Sequence, residues 1–133
     1  MSEFKLPANG AFCWNELATT DLESAQNFYK TLLGWEIKES GASGAGMVYN
    51  EIVVGGRSVG GVYKMGPEFG QTPSHWMAYV AVDDVDAKAR QVWELGGKVC
   101  VPPTDIPGVG RFCVINDPTG ATIALITLTG MHS

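Results

Sequence analysis

A chain of 133 residues with 45% hydrophobic and 17% charged residues has enough apolar side chain to bury a core, which excludes the disordered class. A net charge of −5, with nine basic residues nowhere in a run, argues against the clustered Lys and Arg that grip nucleic-acid backbones and anionic lipid surfaces. Cys13, Cys100 and Cys113 lack CxxC spacing, so buried, reduced thiols are expected in place of a disulfide framework or zinc knuckle. The opening MSEFKLPANGAF has no signal-like apolar run and no later stretch has the length of a membrane span, so a cytoplasmic protein is expected.

In chain order, Phe12, Trp14, Glu16 and Ala18 alternate with Cys13, Asn15, Leu17 and Thr19, the period of a strand. Thr20 with Glu23 has capping-box spacing, and Leu22, Ala25, Phe28, Tyr29, Leu32 and Leu33 form an apolar stripe that Gly34 ends. GWEIKES, GMVYNEIVV and SVGGVYKM then read as strands, with Gly55-Gly56 as a turn. GASGAG at 41–46 lacks the Lys-Ser/Thr of a phosphate loop and reads as a hairpin loop. GPEFGQTPS at 66–74 fits a linker.

The pattern then starts again. His75, Met77, Tyr79 and Ala81 alternate with the apolar Trp76, Ala78, Val80 and Val82, a face suited to backing onto a helix. Asp83 is placed to cap that helix, whose stripe is Val85, Ala89, Val92, Trp93 and Leu95 and whose stop is Gly96. GKVCV, RFCVIN and ATIALITL follow as strands, with a turn at Asp117-Pro118-Thr119-Gly120. Asp84 − Asp21 and Gly97 − Gly34 both equal 63, so the two halves repeat at one offset. The expected architecture is a single α+β domain over 1–133: a strand-helix-three-strand module at about 10–65, the linker 66–74, and a second module at about 75–129.

ELATTDLESAQNFYKTLLGWE, VAVDDVDAKARQVWELGGKV and DPTGATIAL resemble the vicinal oxygen chelate superfamily, which includes glyoxalase I, extradiol dioxygenases and bleomycin-binding proteins. The resemblance implies two tandem βαβββ modules forming a cup-shaped mixed sheet, commonly in a homodimer. It also implies a divalent metal held by His, Gln or Glu on the first and last strands of each module. The corresponding positions here are Trp14, Met77, Ala124 and Gly61 or Gly60, none of which offers the oxygen or imidazole donor such an ion takes. No metal and no cofactor are therefore expected.

By strand parity Trp14, Glu16, His75, Met77, Tyr79 and Ala124 share one face, an apolar wall with a few polar groups, and they are the candidate ligand-binding residues. Glu16 is the informative one, because an inward carboxylate needs a partner, a ligand or a raised pKa. His132 lies in the tail, and Cys13 has no cationic neighbour in sequence to activate it. The expected function is metal-independent binding of a small aromatic or partly cationic molecule, with no nucleic acid or membrane partner. The alternative is a lyase or isomerase of glyoxalase type with a non-standard metal site at His75 and Glu16. Whether any reaction is catalysed stays open at the level of sequence.

Overall fold

A computed structural model of the chain describes residues 6–39 and 49–130, so the expected loop at 41–46 and His132 lie outside the described residues. The elements are β1 (Phe12–Thr19), α1 (Leu22–Leu33), β2 (Glu36–Glu39), β3 (Tyr49–Val54), β4 (Arg57–Lys64), a 3-10 turn (Pro67–Phe69), β5 (His75–Ala81), α2 (Val85–Glu94), β6 (Lys98–Ile106), β7 (Gly110–Asn116) and β8 (Thr122–Leu128). The fold is α+β, and the chain divides into two compact units. One is Trp14–Met77; the other combines the residues up to Cys13 with those from Ala78 onward.

In the Trp14–Met77 unit the strands lie in the order β2-β3-β4-β1, with β1 parallel to β4 and the other pairs antiparallel. Gly55 and Gly56, at φ 59° and 79°, make the β3–β4 turn, whose two positive φ values a side chain would oppose. Helix α1 is capped by Asp21, not by the expected Thr20. Asp21 has an extended backbone and its Oδ1 accepts the Ser24 N–H at 3.0 Å. Thr20 instead donates its own N–H to Ser74 Oγ at 3.0 Å, so its backbone is held by the linker. Gly34, at φ 73°, ends the helix as expected and returns its N–H to the Lys30 carbonyl.

The expected apolar stripe of α1 is only partly used. Leu22, Ala25 and Tyr29 are half-buried, whereas Phe28, Leu32 and Leu33 stay exposed and no residue of the helix is fully buried. Trp35 stacks on Tyr29 at 5.1 Å, and Trp76 meets both rings edge-on at 5.6 and 6.0 Å.

In the other unit the order is β5-β8-β7-β6, with β5 parallel to β8. Helix α2 seats more deeply: Val85 and Ala89 join Val82 and Cys113 in a buried cluster flanked by Val80, Val99, Ile115 and Leu125. This confirms the helix-facing role expected of the Val80–Val82 face. The cap is Asp84, not Asp83: Asp84 Oδ1 accepts the Ala87 N–H at 3.1 Å, while the Asp83 N–H is taken by Asn9 Oδ1. The Val85 N–H, otherwise orphaned in the first turn, donates to Thr127 Oγ1 at 2.9 Å and ties the helix to β8.

Two further expectations need correction. β6 runs past GKVCV through Pro102 and Pro103, with register shifts between Val99 and Val101 and between Val101 and Thr104. At the end of this unit's strand order the missing proline N–H groups cost no ladder bond on the outer side. The thiols are not uniformly buried: Cys113 is, Cys13 is half-buried and Cys100 is exposed. Burial, then the charge of Asp86, pushes the Cys113 thiol up to about 11.

The cap assignments make a testable distinction. Asp84→Ala should lower unfolding free energy in urea by about 1 kcal/mol, and Asp83→Ala by clearly less. Equal losses would remove Asp84 from the capping role.

Candidate functional site

β1 divides its side chains between two environments. Leu17 turns toward α1, where it lines the helix–sheet seam with Ile52, Val62, Ala25 and Tyr29. Trp14 and Glu16, on the alternate parity, turn to the face that α1 does not cover. Tyr49, the first residue of β3, reaches across β4 to them. Trp14 Nε1 donates to the Tyr49 hydroxyl at 2.8 Å, and that hydroxyl donates to Glu16 Oε1 at 2.8 Å.

The reach is possible because β4 carries glycine where the phenol crosses it. Glu16 stands beside Gly61 in the parallel register, and a Cβ on Gly61 would collide with the Tyr49 phenol. On the opposite face a Cβ on Gly60 would come within 2.6 Å of the Asn15 carbonyl, so the Gly60-Gly61 pair is required from both sides. Tyr63, two residues on from Gly61, lies near-parallel to Tyr49 at 6.2 Å, and Phe69 follows at 6.1 Å.

Electrostatics follow from burial. Glu16 is only 9% exposed, and a carboxylate removed from water needs strong donors. Burial first, and next the negative charge of Glu16, push the Tyr49 phenol well above its ordinary value. The same two causes, followed by Glu68, push Tyr63 up to about 12. Both rings therefore stay neutral donors across the physiological range.

The remaining sequence candidates are placed as follows. His75 and Met77, both half-buried, open β5 in the Trp14–Met77 unit, and His75 Nδ1 donates to the Pro73 carbonyl at 2.9 Å. In the other unit Tyr79 and Ala124 are register partners across β5 and β8, and the Phe112 ring lies 6.4 Å from that of Tyr79. The structure thus joins Trp14 to Glu16 and Tyr79 to Ala124. Tyr49 and Tyr63 were not among the sequence candidates. The signal that points to them is a glycine pair inside the strand pattern SVGGVYKM, which marks a close approach.

The divalent metal implied by the resemblance does not fit these residues. The Trp14 indole nitrogen is a committed donor, Ala124 and Gly61 have no ligating atom, and Met77 offers only a soft sulfur. Among the described residues no group of three or more His, Cys, Asp and Glu is gathered.

Removing the phenol hydroxyl in Tyr49→Phe strands the Trp14 N–H and takes a donor from Glu16, so a loss of about 1–3 kcal/mol is expected in urea unfolding. Gly61→Ala should be comparably harmful in the native background and nearly silent in a Tyr49→Ala background, a coupling that a double-mutant cycle measures. The folded phenol pKa values are raised, so the stability they contribute is fully present below the unfolded value of about 10 and is lost as pH rises through the folded values. Tyrosinate absorbance should show a step near pH 12 that Tyr63→Phe removes.

The sequence profile of the Glyoxalase/Bleomycin resistance protein/Dioxygenase superfamily matches residues 12–125. CFP32 of Mycobacterium bovis, provisionally called a glyoxylase, is 40% identical over 113 residues, which cover 84% of this chain and 43% of the relative. DnrV of Streptomyces peucetius, named an anthracycline biosynthesis protein, is 33% identical over 130 residues, covering 89% of this chain and 47% of the relative. The chain therefore spans less than half the length of these curated relatives. The structure of methylmalonyl-CoA epimerase from Mycobacterium tuberculosis superposes with a TM-score of 0.59 at 17% identity, over 94% of this chain and 93% of that one. At that identity the likeness speaks for the fold, which is the glyoxalase-like pair of βαβββ modules. The chain belongs to the Glyoxalase/Bleomycin resistance protein/Dioxygenase superfamily.

Proposed function

We propose that this protein binds a small aromatic or partly cationic molecule without a metal ion, acting in the cytoplasm as a homodimer. The observation that carries this reading is the Trp14–Tyr49–Glu16 chain, a buried carboxylate set among aromatic rings on the face left open by α1. Glu16 holds the cationic or hydrogen-bonding end of the ligand. Trp14 and Tyr63 supply ring surface for stacking and for cation–π attraction, worth about 0.5–2 kcal/mol per contact. Met77 is the adaptable apolar neighbour, and His75 sits near it in sequence as a polar rim.

A second reading is supported by the name of CFP32 and by the epimerase fold, namely a lyase or isomerase in which Glu16 accepts a proton and His75 helps to hold a metal. Titration of metal-stripped protein with benzyltrimethylammonium and its neutral isostere neopentylbenzene, followed by tryptophan fluorescence, separates the two. The expected result is at least about tenfold preference for the cation, abolished in Glu16→Gln. Equal affinity for both compounds would sink the cationic assignment. Stoichiometric metal in purified protein, with turnover lost on chelation, would put the enzyme in its place.

A further inference from the structure

We propose that the C-terminal half of α1 is the surface on which a second copy of this chain docks, the two α1 helices packing against each other about a two-fold axis. The proposal deepens the homodimer reading above by naming its contact. α1 leaves Phe28 57% exposed, Leu32 62% and Leu33 51%. Trp76, 43% exposed, extends the patch through its edge-on contact with Tyr29, which Phe28 also meets edge-on at 5.1 Å. At roughly 200 Å² per large side chain the exposures of Phe28, Leu32 and Trp76 leave about 320 Å² of apolar surface per copy, Leu33 lying about 140° round the helix from Phe28. That is about two fifths of the ~800 Å² each partner buries in a stable dimer, which leaves the remainder to a polar rim.

The chemistry of the helix surface favours a copy of itself. At about 100° per residue, Ser24, Thr31 and Leu32 fall within about 60° of Phe28, while Glu23 and Lys30 lie roughly on the far side. Ser24, Phe28 and Leu32 form one i, i+4, i+8 ridge with small, uncharged Thr31 beside it. Such ridges interdigitate with their own copies, and no charge has to leave water when they do. A two-fold axis presents the same patch on both partners, so one self-complementary ridge is sufficient.

Light scattering on the eluting full chain at about 10 μM, with sedimentation equilibrium, tests the proposal. The native protein should have twice the chain mass, and Phe28→Glu and Leu32→Glu should each raise the dimer dissociation constant by roughly a hundredfold. Trp93→Glu, at an equally exposed aromatic on α2, should remain dimeric. A native monomer would overturn both the homodimer reading and this surface. A native dimer that survives both α1 substitutions would overturn the surface alone, as would dissociation by Trp93→Glu. Should a glutamate variant lose its circular dichroism, Leu32→Cys in a Cys100→Ser background decides: a short bis-maleimide should yield a covalent dimer that the background lacks, and its absence would overturn the surface.

Discussion

A single phenol fixes much of the Trp14–Met77 unit. Tyr49 must cross β4 to satisfy both the Trp14 indole and the Glu16 carboxylate, and it can do so only over a strand with no side chain at position 61. The parallel register of β1 and β4 puts Gly61 beside Glu16 and Tyr63 beside Ala18, which sets the carboxylate within reach of the Tyr49 hydroxyl and Tyr63 near-parallel to the Tyr49 ring. If the register slipped by one residue, Glu16 would turn toward the helix seam and lose every one of these partners. The buried charge and the strand pairing are therefore one constraint.

The carboxylate also sets the chemistry of its neighbours: the polar ends of the Trp14 and Tyr49 rings are committed in one chain that ends on Glu16. The phenols are held neutral by burial and by Glu16 itself, which makes them donors to an anion and a π surface to a cation. The Trp14–Tyr49–Glu16 arrangement is held by packing and hydrogen bonds.

The two helices show how the same repeat is tuned to different ends. α2 drives Val85 and Ala89 into a closed cluster with Cys113 and anchors its first N–H on Thr127. α1 gains its contacts from the Tyr29, Trp35 and Trp76 rings and keeps Leu32 and Leu33 in solvent. Sequence periodicity alone treats the two stripes as equals, because it records which positions could be buried and not which of them a neighbouring element covers.

The order and type of the elements, the repeat at one offset, the glycine stops and the helix-facing Val80–Val82 edge were determined by the sequence, since each depends on local conformational preference or on periodicity along the chain. The same is true of Trp14 and Glu16 sharing a face, which strand alternation dictates. Local pattern was less reliable at the helix starts, where the helices begin one residue later than expected, so that Asp21 and Asp84 are the caps and Thr20 and Asp83 precede them with N–H groups bonded to Ser74 and Asn9. Only the tertiary structure could bring Tyr49 to Glu16, thirty-three positions earlier in the chain, since that contact follows from strand pairing and a glycine gap. The exposure of Phe28 and Leu32 was decided at the same level, since periodicity gives the apolar stripe but not which part of it is packed against.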